Sequence, residues 1–231
     1  MKKLIALVLV SASSFSLAWG QNCSKFYPMT EGTSYEYTNY NKKGKVDGVT
    51  SYTVANVTSE GDATKATMEL RFTDKKGKEV FNSDYNITCL DNVVRVDYKS
   101  LFPSQMMQQY SDMGMEMDIS GTDIELPNDL SVGQELADAN VAVAMSMTGM
   151  TMNINVAMTD RKVETRESVT TPAGTFDCYL ITETNTSETM GAKQQMNTKL
   201  WLAEGVGMVK QETYKKNGDL MSRTELTKFD Q

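Results

Sequence analysis

Seventeen methionines, three cysteines and no histidine set the chemistry open to this 231-residue chain. Ten of the 17 methionines fall between Met106 and Met158. Within 141–158 their spacing has a geometry. Val141, Val143, Met145 and Met147 alternate along one segment, and Met150, Met152, Ile154, Val156 and Met158 along the next. Thr148-Gly149 is the turn between them. If Met147 faces Met150, all these side chains share one face of a β-hairpin. Ala142, Ala144, Ser146, Thr151, Asn153, Asn155 and Ala157 take the other face, which is small or polar.

Methionine is unbranched and polarizable. A face made of it can fill an ordinary core, or adapt to varied apolar ligands. A third chemistry is soft-metal ligation, because Met113-x-Met115-x-Met117, Met145-x-Met147 and Met150-x-Met152 present thioethers of the kind that hold Cu(I). Without histidine or a nearby cysteine that set is thin, and no metal and no cofactor is expected. The candidate ligand-binding residues are Met145, Met147, Met150, Met152 and Met158. Met106 and Tyr110 join them from a short helix that partly covers a concave face able to hold a lipid or acyl chain.

Other chemistry is missing. A chain without histidine has no Ser-His-Asp triad, no Cys-His pair and no imidazole metal site. Scattered cysteines make no zinc site, and no Gly-rich phosphate loop follows a strand. Thirty acidic residues leave glycosidase-like carboxylate pairs formally open, but none stands in apolar surroundings. The expectation is a protein that is not an enzyme. A net charge of −7 and a pI near 4.8 exclude an electrostatic footprint for nucleic acid.

The compartment follows from the first residues. Lys2-Lys3, then the apolar run Leu4 to Val10, then Ala18-Trp19-Gly20 read as a signal peptide over 1–20. Residues 21–231 form a single β-rich domain without a transmembrane segment. Gln21-Asn22 before Cys23 fits a lipoprotein leader badly, so export without a lipid on that cysteine is expected. In an oxidising compartment Cys23, Cys89 and Cys178 make one disulfide and one spare thiol. Cys89 and Cys178 both end alternating runs that face a core, and Cys23 is free to reach either. Cys23–Cys89 is favoured over Cys23–Cys178.

The elements that position these residues are mostly strands. Asn41-Lys42-Lys43-Gly44-Lys45, Asp74-Lys75-Lys76-Gly77-Lys78 and Lys215-Lys216-Asn217-Gly218-Asp219 are three glycine-bearing hairpin turns between alternating segments. Strands are predicted at 35–40, 49–57, 64–73, 79–90, 92–98, 139–147, 150–159, 161–169, 176–188, 194–203, 206–214 and 220–229. Phe102, Met106, Tyr110 and Met113 recur at helical spacing, which predicts one amphipathic helix over 102–113, with Ser100 as N-cap. The stretch 121–138 reads as a loop with one short strand. The fold class is mainly β: a curved antiparallel meander or barrel-like sheet with one short helix.

Two phrases carry a resemblance. Val169-Thr170-Thr171-Pro172-Ala173-Gly174-Thr175-Phe176-Asp177-Cys178 and Trp201-Leu202-Ala203-Glu204-Gly205-Val206-Gly207-Met208-Val209-Lys210 are turn-and-strand devices with no catalytic group. Phe26-Tyr27-Pro28-Met29-Thr30-Glu31-Gly32, Lys42-Lys43-Gly44-Lys45 and Tyr110-Ser111-Asp112-Met113 belong to the same pattern. The chain resembles the TapB-like group of exported bacterial proteins, which has no established activity. The resemblance implies a curved sheet or barrel in a Gram-negative envelope and brings no catalytic residues. The functional expectation is a non-catalytic exported protein that binds an apolar small molecule, a lipid or an acylated partner. The alternative is a structural or interaction protein of the cell envelope with a filled core.

Overall fold

The computed structural model describes residues 23–101, 104–147 and 150–231. The expected signal peptide, the start of the expected helix at Phe102-Pro103 and the expected turn at Thr148-Gly149 lie outside the described residues. The strands are β1 (Ser34–Asn41), β2 (Val46–Glu60), β3 (Ala63–Asp74), β4 (Glu79–Leu90), β5 (Val93–Val96), β6 (Glu116–Gly121) and β7 (Ile124–Pro127). They continue with β8 (Ala139–Met147), β9 (Met150–Thr171), β10 (Gly174–Thr189), β11 (Ala192–Ala203), β12 (Gly207–Lys215) and β13 (Leu220–Asp230). Among the described residues one helix, α1 (Ser104–Asp112), follows a 3-10 turn at Lys99–Leu101. The Ser100 expected to cap the helix therefore sits within that preceding turn.

The three glycine turns close hairpins as their chemistry requires. Gly44, Gly77 and Gly218 take φ of 70°, 79° and 89°. Asn41 Oδ1 accepts from the Lys43 amide at 2.9 Å, and Asp74 Oδ1 from the Lys76 amide at 2.8 Å, so a short polar side chain shapes the first two loops.

All 13 strands form one sheet, in the order β6-β8-β9-β10-β11-β12-β13-β1-β2-β3-β4-β5-β7. The first and last strands of that order are consecutive in the chain. Only Thr122 and Asp123 separate Gly121 from Ile124, so the two edges stand within about 11 Å at one corner. The sheet is thus open and curved, with its edges brought together at one point. Inward residues from strands far apart in the order meet in one core: Tyr37, Val54, Ile87, Leu126, Val163, Ile181, Leu202 and Leu226. That shared face is the concave one.

Two features differ from the sequence reading. The strands expected at 150–159 and 161–169 are one strand of 22 residues, β9. Asp160 breaks the alternation with φ of 53°, and the register against β10 shifts between Thr182 and Thr184. A bulge, not a chain break, explains the lost period. The loop expected over 121–138 does contain one strand, β7. A second strand, β6, lies just before it, at Met117 and Ile119, and continues the Met-x-Met spacing as a strand of period two.

The N-terminal segment closes one end of the concave face. Cys23 is bonded to Cys89, with their Cα atoms 5.8 Å apart. Asn128 Nδ2 donates to the Cys23 carbonyl at 2.6 Å, and Asn128 Oδ1 accepts from the Lys25 amide at 2.8 Å. The Gly205 amide donates to the Lys25 carbonyl at 2.9 Å. This anchoring drives Phe26 into the core, edge-on to Tyr179 at 5.9 Å. Tyr27 lies flat over Gly207, where a Cβ would come within 2.7 Å of its ring. Burial of a side chain such as Phe26 contributes roughly 2–3 kcal/mol. Cys178 is free and buried with Trp201, Ala203 and Val209 on the other face of the sheet. Burial, aided by Asp177 and Glu167, pushes its thiol up to about 11.

Candidate functional site

The end of the concave face away from the N-terminal segment carries the methionines. In the β8–β9 pairing Met147 faces Met150, Met145 faces Met152, Val143 faces Ile154, Val141 faces Val156 and Ala139 faces Met158. The alternation then places all of them on one side of the hairpin. The edge strand β6 extends the surface, with Met117 opposite Met145 and Ile119 opposite Val143.

Pairing with β10 decides which side this is. Met158 faces Asn185, which shares parity with Ile181 and Glu183. Ile181 is a core residue, so the methionine face is continuous with the concave side of the sheet. Burial is uneven along the hairpin and lowest at its tip, with Val156 well below the tip already 42% exposed. Ala139 and Val143 are buried, while Met145, Met152 and Met158 are half-buried. Met147 is 42% exposed and Met150 72%.

The two remaining expected residues stand apart from the hairpin. Tyr110 is half-buried near the end of α1, and its carbonyl accepts from the Met115 amide at 3.0 Å as the chain turns into β6. The structure therefore sets it one strand away from the hairpin. Met106 lies in α1, and its side chain is outside the described residues. Among the described residues no cluster of three His, Cys, Asp or Glu side chains is arranged to hold a metal ion.

A polar belt separates the methionine face from the closed end. Arg161, with a side chain only 4% exposed, places Nε 3.6 Å from Glu183 Oε2. Its Nη1 donates to the carbonyls of Glu125 at 3.1 Å and Ala137 at 2.6 Å. It thereby ties β9 to β7 and to the segment leading into β8. Asn185 Nδ2 donates to Glu183 Oε1 at 3.1 Å and to Thr198 Oγ1 at 3.0 Å. A buried ion pair of this kind contributes little net stability, but removing one partner strands the other. Beyond the belt stand the interior tyrosines. Burial, with Tyr52 and Glu183 adding and Arg161 opposing, pushes Tyr27 up to about 12. Burial likewise raises Tyr37 and Tyr85 well above the usual phenol range.

Sequence reasoning missed this belt. Its signal was present: Arg161 and Glu183 each stand two residues from a core position, Val163 and Ile181, and share its face. A charge at core parity is a feature that a motif search passes over. Chemically, the concave face offers an apolar surface that ends in hydrogen-bonding groups, an arrangement suited to an amphiphile.

Residues 30–226 match the DUF3108-like family. A crystal structure from Bacteroides fragilis, whose name assigns it to export and to a YmcC-like fold, superposes with a TM-score of 0.70 at 20% identity. It covers 90% of this chain and 100% of its own. A second, from Parabacteroides distasonis and named for the lipoproteins, gives 0.72 at 26% identity over 91% of this chain and 100% of its own. No curated protein matches the sequence at a significant level.

Proposed function

The chain belongs to the DUF3108-like family, and from that premise we propose a non-catalytic exported protein of the bacterial envelope whose concave methionine face takes an acyl chain. Within the family the turn-and-strand phrases at 169–178 and 201–210 favour kinship with the TapB-like group. The signal-peptide pattern at 1–20 and the names of the Bacteroides and Parabacteroides neighbours support export. Cys23 has its sulfur in the bond to Cys89, so a lipid anchor through that sulfur does not fit the folded chain.

One observation carries the ligand reading. The register that pairs Met145 with Met152 and Met117 with Met145 turns a row of thioethers toward the concave side, where they remain partly exposed. A chain that exposes apolar side chains together on a concave face leaves them available to a ligand. The polar belt at Arg161, Glu183 and Asn185, its groups bonded to one another and to backbone carbonyls, stops the apolar surface. The structural alternative draws on the other end, where Val54, Val163, Ile181, Leu202 and Leu226 have no exposure at all.

A delipidated sample titrated with an apolar fluorescent probe separates the two. The carrier reading expects saturable binding that changes in a Met145→Leu, Met152→Leu double variant. Each change conserves volume and should cost less than about 1.5 kcal/mol of stability. Absence of probe binding to the wild type would leave only the structural reading.

A further inference from the structure

The convex side of the sheet carries a trough that the methionine face does not use. It has a volume of about 570 Å3, within the range of roughly 300–1,000 Å3 typical of small-molecule sites. Lys162 and Glu164 of β9, Thr184 of β10, Asn197 and Lys199 of β11 and Tyr214 of β12 line it. Their register places them on one surface: Lys162 faces Thr182, which faces Lys199, and Thr184 faces Asn197, which faces Tyr214. The β9 bulge explains why a trough forms here. Asp160, also a lining residue, holds φ of 53° where the β10 register shifts, and a bulge bends the strands that carry it.

Asp160 and Glu164 offset Lys162 and Lys199 in the lining, and Lys162 Nζ already lies 3.6 Å from Glu164 Oε2. The third acid at the trough, Glu183, is neutralised by Arg161 at 3.6 Å. A free anion or cation gains little from such a surface. Between the charges, the Asn197 amide and the Thr184 hydroxyl offer both donors and acceptors. The aromatic group is held in place. The Tyr214 hydroxyl donates to Glu212, and Glu212 lies 2.7 Å from Lys210 Nζ. That ammonium stands 4.5 Å over the Trp201 ring, whose Nε1 donates to Glu167 at 2.6 Å. A chain of contacts across β12 and β11 to β9 thus fixes the Tyr214 ring before any ligand arrives.

We propose that this trough binds a neutral oligosaccharide, with Tyr214 as the platform for a sugar ring and Thr184, Asn197, Glu164 and Lys162 bonding its hydroxyls. A pyranose has an apolar C–H face that packs on an aromatic ring, and a rim of hydroxyls that both donate and accept. The site holds both kinds of group, with Lys199 Nζ 5.6 Å from the centroid of the Tyr214 ring, and it favours no net charge. It lies on the opposite side of the sheet from Met145 and Met152, so the two sites stand or fall separately.

Saturation-transfer NMR of the exported chain with maltotriose, cellotriose and tri-N-acetylchitotriose, each tested singly, decides the matter. At least one trisaccharide should receive saturation. Thr184→Arg, which fills the trough from a solvent-facing strand position, should abolish the transfer while the far-UV spectrum stays unchanged. Tyr214→Ala should weaken binding about fivefold, the worth of one aromatic contact, and Tyr214→Phe, which keeps the ring, should retain it. Transfer to none of the three sugars, or transfer that survives Thr184→Arg, would overturn the proposal.

Discussion

The two ends of the concave face are built from the same strands and the same alternation, yet they finish differently. At one end Phe26 is 1% exposed, held by a segment that is bonded covalently to Cys89 and hydrogen-bonded to Asn128 and Gly205. At the other, Met150 is 72% exposed, and no comparable segment lies over it among the described residues. The inward residues differ too. The closed end is built mainly of Tyr, Val, Leu and Ile, with Met29 and Met68 buried among them. The open end uses methionine, whose side chain adapts to whatever covers it. The difference teaches that alternation decides which side chains face inward, while a separate covering element decides whether they become core.

The largest test of this contrast is the covalent tie. A Cys23→Ser, Cys89→Ser variant loses a bridge that spans 66 residues of sequence. Chain entropy alone puts the loss at about 4 kcal/mol, read as a lower urea midpoint. A shift of a few tenths of a kcal/mol would mean that the segment holds by packing alone. Next in size is Phe26→Ala, which should cost roughly 3–4 kcal/mol as a buried aromatic truncation. Met150→Ala should fall within about 0.5 kcal/mol, as for an exposed position. Equal costs for the two, measured by the same denaturation curves, would erase the distinction between closed and open ends.

Much of the fold was legible because its signals are local. Gly44, Gly77 and Gly218 with their lysine neighbours mark hairpins on their own, and the runs between them alternate. The bulge at Asp160 was not legible, since one residue at positive φ reads like the end of a strand. Nor was the meeting of the β6 and β7 edges, which depends on how 13 strands curl. The methionine hairpin was readable in register, because the expectation that Met147 faces Met150 agrees with the β8–β9 pairing. Its side was not, because that depends on Met158 facing Asn185 in the pairing with β10. Arg161 and Glu183 escaped notice for a related reason: their partners are backbone carbonyls and side chains from distant strands.

The central claim is that the open methionine face receives an acyl chain. A fatty acid bearing a diazirine near its tail, photolysed on the delipidated exported chain and mapped by peptide mass spectrometry, tests it most directly. The account predicts adducts within 115–119, 141–147 and 150–158, the three segments that bring Met117, Met145 and Met152 side by side. Adducts confined to other strands, or none above the level seen with denatured protein, would contradict it.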